Sequence, residues 1–263
     1  MSDLLDLGGK VALITGAGQN VGRQIALHFA AHRAAGVVVN DYFLDRAEAV
    51  ANEIKNGGGK AIAVQADVTD LASVKEMVGK AEKAFGPIDV LVNNAGNSGA
   101  DPDPDARKPF WETGPAAWDS FIRVNLYGVI NCASACIPGM IERKGGRIIT
   151  IISDAGRAGE AGLDVYSGAK AGAAGFMRAV ARSLGRYQIT ANCVAIAATA
   201  TPAIEARLQA DPERAKKILE KYVIRRPGKP TDVANMVLFL ASDASPWITG
   251  QTYPVNGGFT FAL

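Results

Sequence analysis

The segment "YSGAK" sets a tyrosine and a lysine, Tyr166 and Lys170, four residues apart, so on a helix the two side chains share one face. A free phenol titrates near pH ~10 and is a poor base at neutral pH unless a cation favours the phenolate, which Lys170 is placed to do. Tyr166 would then take the proton of a substrate alcohol as a hydride departs, or return it in reduction. Ser153, at the end of an apolar run upstream, would donate a hydrogen bond to the developing oxyanion. A Tyr four residues before a Lys also occurs on ordinary exposed helices, so the pair gains meaning only from its surroundings.

A hydride needs an acceptor, and "TGAGQNVG" at residues 15–22 offers a place to hold one. A dinucleotide pyrophosphate needs backbone N–H groups at a helix N-terminus and a loop free of obstructing side chains. Gly16, Gly18 and Gly22, with Val21 opening the next helix, supply most of that. Asn20 places a side chain in the middle of the loop. Asparagine tolerates positive φ better than other non-glycine residues, and its amide could itself donate a hydrogen bond. Asp41 ends the next apolar run, where a carboxylate can bind adenosine ribose hydroxyls, although a turn or helix-capping acid would read the same way. No Arg or Lys adjoins Asp41, the nearest being Arg46, so the loop favours NAD over NADP.

Other chemistries fit poorly. The only histidines, His28 and His32, share a helical face in "HFAAH" without the glutamate a zinc-protease helix requires. No histidine follows them to serve a nucleophile elbow. Cys132 and Cys136 lie four apart on a probable buried helix, where cysteine behaves as a small hydrophobe, and no metal site is expected. The formal net charge of +2 is spread along the chain and makes no basic stripe for nucleic acid. The start "MSDLLDLGGK" carries acids where a signal peptide would be basic, so the chain is expected to be cytoplasmic. The uncharged stretch 124–141 contains Asn125, Asn131, Ser134 and Pro138 and reads as a buried helix, not a membrane span.

The elements that must position these residues alternate regularly. "KVALIT", "GVVVND", "AIAVQAD", "IDVLVNNAG", "RIITIIS", "ITANCVA" and "TYPVN" are short, rich in β-branched residues and bounded by Gly, Asp or Asn, as parallel strands buried on both faces should be. Helices are expected between them at residues 21–34, 44–55, 71–85, 116–142, 165–186, 203–222 and 232–242. The pattern predicts one α/β domain over residues 1–263: a Rossmann-like, doubly wound parallel sheet of seven strands with helices on both faces. The segments 97–115, rich in Pro and Asp, and 197–226, helical but charged, break the rhythm. They emerge where ligands bind such sheets and are expected to be substrate loops.

Taken together these marks resemble the short-chain dehydrogenase/reductase family over almost the full chain. They are residues 15–22, Asp67 ending "QAD", "NNAG" at residues 93–96, Asn125 in "VNL", Ser153 before "YSGAK", and the C-terminal "RRPGKPTDVANMVLFLASDASPWITGQTYPVNGG". The resemblance implies a tetrad of Asn125, Ser153, Tyr166 and Lys170. In it Lys170 would also hold the nicotinamide ribose, and Asn125 would support a water-linked proton path. By the same resemblance Asp67 and Val68 would contact the adenine, Asn94, Ala95 and Gly96 would line the cofactor cleft, and Thr201 would sit near the nicotinamide amide. The family usually assembles as tetramers through the two long helices read at 116–142 and 165–186.

The chain departs from the family pattern at Asn20, where a glycine is usual, and at Ile196 and Ala197, where Pro-Gly is usual; the second change is expected to loosen a turn. "IPGMIERKGGRIITIISDAGRAGEAG" and the ending "ITGQTYPVNGGFTFAL" look most like dehydrogenases of β-hydroxyacyl-CoA thioesters, including cyclic and aromatic acids. Arg107, Lys108, Arg143, Lys144 and Arg157 are then candidate partners for the CoA phosphates, each also readable as a solvated charge. Phe110 and Trp111 could cover an apolar acyl group. A rival reading is a non-catalytic partner subunit of a hetero-oligomeric dehydrogenase, since both departures fall on cofactor contacts.

Overall fold

A computed structural model describes residues 3–99, 102–106, 108–201, 206 and 210–261. Seven parallel strands form one sheet: β1 (Val11–Ile14), β2 (Gly36–Asp41), β3 (Ala61–Gln65), β4 (Val90–Asn93), β5 (Gly146–Ser153), β6 (Ile189–Ile196) and β7 (Thr252–Val255). Their order is β3-β2-β1-β4-β5-β6-β7. The chain winds outward from β1 to β3, returns across β1 to β4, and winds outward again. The direction reverses between β1 and β4, so a crevice opens beyond their carboxyl ends.

The strands read as unbroken apolar runs because both faces are covered. On one face Ala12, Ile14, Val37, Val39 and Val92 pack with Ile25 and Phe29 of α1 (Asn20–Ala31), Val50 and Ile54 of α2 (Leu44–Asn56), and Val237 of a C-terminal helix, Pro230–Ala241. The alternate residues Leu13, Val38, Leu91, Ile148 and Ile152 face Val74 and Met77 of α3 (Leu71–Phe85) on the other side. The second face is completed by α4 (Pro115–Ile122), α5 (Gly128–Arg143), a short α6 (Ala155–Ala158) and α7 (Asp164–Leu184). The last helices are α8 (Pro212–Leu219) and α9, the Pro230–Ala241 helix already met.

Two expectations change in detail. The helix expected at 116–142 is interrupted by a π turn, Arg123–Tyr127, between α4 and α5. That joined helix, Pro115–Arg143, has the length and mean hydropathy (1.4) of a membrane span, but Val129, Cys132, Ala133, Cys136 and Met140 are packed in the core. Of the helix expected at 203–222, α8 is described; residues 202–205 and 207–209 lie outside the described residues.

Candidate active site

The glycine loop and the turn after β4 are locked together. The Thr15 hydroxyl accepts hydrogen bonds from the N–H groups of Asn94 and Ala95, each at 3.0 Å. The Asn94 amide donates to the carbonyls of Thr15 and Gly16, each at 2.9 Å. Gly16 has φ +61°, and a Cβ there would lie 2.9 Å from Ala95 Cα. A Cβ on Gly22 would lie 2.4 Å from the Gly16 carbonyl oxygen. Gly18 answers a different need: its N–H donates to Asp41 Oδ2 at 3.0 Å, and a Cβ would come within 2.7 Å of that oxygen. The other Asp41 oxygen accepts the Phe43 N–H at 3.1 Å. Asp41 thus organises the loop and the start of α2 while still lining the cleft.

Asn20 adopts φ +50°, the left-handed conformation in which a glycine is otherwise favoured. The turn therefore survives the substitution. Asn20→Gly is expected to alter cofactor affinity less than about threefold, whereas Asn20→Ala should cost about 1 kcal/mol of stability, because alanine lacks the local hydrogen bonding that eases this conformation. Titration calorimetry and urea denaturation check the two halves.

The cradle continues into a cleft of about 940 Å³ lined by Gly16, Asn20, Val21, Gly22, Asp41, Asp67, Val68, Asn94, Ala95 and Gly96, and deeper in by Tyr166 and Lys170. Asn40, which sequence reading passed over, also lines it and donates to the carbonyls of Val64 (3.1 Å) and Ala66 (3.3 Å), tying β2 to β3. A polar residue inside "VVVND" was the one signal for it. Backbone N–H groups, glycines too crowded to bear a side chain and a carboxylate at the end of β2 together fit a dinucleotide.

At the inner end, Ser153 closes β5, Tyr166 and Lys170 come from one face of α7, and Asn125 comes from the π turn. Asn125 is fully buried: its Oδ1 accepts the Asn97 N–H at 3.2 Å, and its Nδ2 donates to the carbonyls of Asn97 (2.7 Å) and Phe121 (2.8 Å). It holds the start of the loop 97–115 by the backbone. Gly96 makes the crowding possible, since a Cβ there would meet Asn125 Oδ1 at 2.9 Å and Lys170 Nζ at 3.1 Å. Phe121 meets the Tyr166 ring edge-on at 6.1 Å between centroids.

The expected phenolate is not what this geometry favours. Burial raises Tyr166 above the ordinary phenol range, opposed by the Ser153 hydroxyl and assisted by Glu160. Lys170 sits 5.8 Å from the ring centroid and donates instead to the Ile151 carbonyl at 2.9 Å. Burial brings Lys170 itself down to about 8. Below that pH both the folded and unfolded chains carry the charge, and the folded chain alone bears the cost of burying it. That cost is relieved as pH rises from about 8 toward the ordinary lysine value of 10.5, because the unfolded state then holds the extra proton. Lys170→Met is accordingly expected to resist urea better than the parent at pH 7, by about 1–2 kcal/mol, with the gap closing by pH ~10.

Gly18, Asn125, Ser153 and Thr201 are not among the described residues lining the cleft. Ile196 lines it, but the turn beyond is not loose: the Ile196 carbonyl accepts the Asp154 N–H at 3.0 Å and the Ala198 N–H donates to the Tyr222 hydroxyl at 3.2 Å. Of the candidate phosphate partners, Arg107 lies outside the described residues. Lys108 pairs with Asp105 at 2.8 Å. Arg143 reaches the Ile88 carbonyl at the opposite end of the sheet, and Lys144 ends α5 beside it. Arg157 is no solvated charge, being bonded to buried Asp154 at 2.8 Å. Phe110 and Trp111 stack edge-on against each other on the surface and do not line the cleft.

Known proteins are similar to this chain over nearly its full length. The family model described as enoyl-(acyl carrier protein) reductase matches residues 16–260. The (2S)-[(R)-hydroxy(phenyl)methyl]succinyl-CoA dehydrogenase subunit BbsD of Thauera aromatica is 41% identical over 249 residues, 95% of this chain and 96% of that protein. The 3-oxoacyl-[acyl-carrier-protein] reductase FabG of Staphylococcus epidermidis is 40% identical over 95% of this chain and 98% of its own length. A solved 7α-hydroxysteroid dehydrogenase, complexed with NADH and 7-oxo glycochenodeoxycholic acid, matches with a TM-score of 0.88 and 36% identity over 98% of this chain and 97% of its own. With the glycine cradle, the Tyr-Lys helix face and these relatives in agreement, the chain belongs to the short-chain dehydrogenase/reductase family and is an oxidoreductase of its Rossmann-fold type.

Proposed function

We propose that the protein is an NAD-dependent dehydrogenase interconverting a secondary alcohol and a ketone, with a β-hydroxyacyl-CoA bearing a cyclic or aromatic acyl group as substrate. The observation that carries this reading is that Tyr166, hydrogen-bonded to Ser153, and Lys170 lie at the inner end of the same cleft whose outer end is the glycine cradle. Gly16, Asn20, Val21 and Gly22 would hold the pyrophosphate, Asp41 the adenosine ribose, Asp67 and Val68 the adenine, and Asn94 to Gly96 the middle of the cleft. When bound, the nicotinamide supplies the hydride acceptor or donor.

Tyr166, which keeps its proton at neutral pH in the ligand-free chain, would give it to a ketone in reduction and receive it in oxidation. Ser153 would hold the substrate oxygen beside it. Lys170, charged below about pH 8, would bind the nicotinamide ribose. Asn125 keeps the cleft wall in place through Asn97, and Thr201 would lie at the nicotinamide end. Support for NAD over NADP comes from Asp41, whose buried carboxylate would repel a 2′-phosphate, and from Arg46, whose guanidinium stacks 4.3 Å over the Phe43 ring. Support for the acyl-CoA comes from the name of the Thauera relative.

The loop after Asn97 supplies Ser98, Gly99, Pro102, Asp103 and Pro104 to the cleft and fits a substrate loop. A tetramer in the cytoplasm completes the reading. Only 39% of the most apolar window of Pro115–Arg143 is buried within one chain, and Tyr127 is 54% exposed, which leaves a face for a second copy. Against a non-catalytic subunit stand Tyr166 and Lys170 on one helix face along the cleft, Ser153 bonded to Tyr166, and the intact glycine turn at Asn20. Purified protein given NAD or NADP with β-hydroxyacyl-CoAs, simple secondary alcohols and hydroxysteroids tests the proposal. Turnover of an acyl-CoA with NAD in clear preference to NADP is expected; turnover of none of them, or preference for NADP, overturns it.

A further inference from the structure

Residues 256–261 are fastened to the strand end that carries Ser153. Asp154, directly after Ser153, is 2% exposed, and its two oxygens are taken by different partners: Oδ1 by Arg157 at 2.8 Å and Oδ2 by Asn256 Nδ2 at 2.7 Å. Arg157 also donates to the Thr260 hydroxyl at 2.8 Å and the Phe261 carbonyl at 2.9 Å. Asn256, which follows β7, donates to the Thr260 carbonyl at 2.8 Å and accepts the Gly258 N–H at 3.0 Å. A buried ion pair repays its desolvation only when the remaining hydrogen-bonding positions are also filled, and here they are filled by the C-terminal segment.

The same segment reaches β6. Phe259 stacks on Tyr222 at 5.0 Å, and the Tyr222 hydroxyl accepts the Ala198 N–H just past Ile196. The Asp154 N–H in turn donates to the Ile196 carbonyl, and the Ala155 N–H donates to Ser153 Oγ at 3.1 Å. The ends of β5, β6 and β7 are thereby tied at one point behind the reacting groups. Arg157 lines no part of the cleft among the described residues and cannot itself touch a bound cofactor there.

We propose that Arg157 is a positioning residue for hydride transfer: with Asp154 and Asn256 it clasps the C-terminal segment 256–261 and so fixes the Ser153 hydroxyl beside Tyr166. The proposal rests on the dehydrogenase reading of Ser153 and Tyr166. Its test compares Arg157→Met, Arg157→Lys, a chain ending at Phe259, and that shortened chain carrying Arg157→Met. Arg157→Met is expected to lower kcat about tenfold with the cofactor Kd within about twofold of the parent, because a displaced Ser153 costs orientation and not binding. Arg157→Lys should regain most of the loss. Ending the chain at Phe259 should reproduce the loss, and the combination should lose no more, since both changes open one clasp.

A kcat within about twofold of the parent in both single changes, additive losses, or a cofactor Kd that weakens as much as kcat falls overturns the proposal. If Arg157→Met does not fold, the shortened chain decides. Hydrogen exchange on the ligand-free protein separates the clasp from the enzymatic reading. Amides of Asp154, Ala155 and Ala198 should exchange at least about tenfold faster without Arg157, while those of residues 16–22 stay as they were. If the parent turns over no substrate, the dehydrogenase reading fails on its own; faster exchange then still upholds the clasp, and unchanged exchange overturns it.

Discussion

Tyr166→Phe is expected to slow hydride transfer by about 10³-fold, within the range that removal of a general acid or base produces. The change deletes one oxygen and keeps the ring, so the edge contact with Phe121 remains and the fold should be intact. Cofactor affinity should stay within about twofold, since the effect falls on the chemical step and not on ground-state binding. Single-turnover measurements with either substrate direction, beside a binding titration, check this. A variant retaining a tenth or more of the parent rate would remove Tyr166 from the proton path and leave the cleft without an identified acid.

Gly22→Ala should weaken cofactor binding strongly for a steric reason, as the second large effect. The added Cβ would stand 2.4 Å from the Gly16 carbonyl oxygen, 2.5 Å from Asn94 Nδ2 and 2.9 Å from Ala17 Cα, so the Gly16–Ala17 backbone and the Asn94 amide must move. That movement opens the joint between the glycine loop and the turn after β4, which is where the cradle is made. A loss of affinity of about 100-fold and of stability of about 2 kcal/mol is expected, as for an overpacked core position. Gly79→Ala in α3, where nothing lies within 4 Å of the new atom, is the matched control and should be neutral or slightly stabilising. Thermal melts and cofactor titration on both variants make the comparison. Similar behaviour of the two would show that crowding at Gly22 does not matter.

Much of this was legible in the chain because it is written in local signals. The strands stand out since burial on both faces leaves no polar alternation to confuse them, and Leu13 and Ile14 end up in opposite cores for that reason. Glycines 16 and 22, and the four-residue step from Tyr166 to Lys170, are likewise properties of neighbouring residues. What was not legible depends on partners far apart in sequence. Arg157 reads as a solvated charge until Thr260 and Phe261 are brought beside it by the whole of β6 and β7. The ionisation of Tyr166 misled for a related reason: spacing places Lys170 on the same face, but only the packed structure shows its ammonium turned to the Ile151 carbonyl. The looseness expected at Ala197 failed because Tyr222, distant in sequence, supplies the hydroxyl that holds Ala198.

The π turn at Arg123–Tyr127 bears on how such a site could arise and be lost. A π turn is an α-helix that has taken in one residue more than its period accommodates, and the extra residue is absorbed as a bulge. The inward placement of Asn125 is therefore a matter of register as well as of residue type. Deleting a single neighbour would restore an ordinary helix and swing everything on one side of the deletion by about 100° relative to the other, carrying the amide off Asn97 with every side chain chemically unchanged. Asn125 stands one codon away from a helix of almost the same composition with no grip on the loop that begins at Asn97.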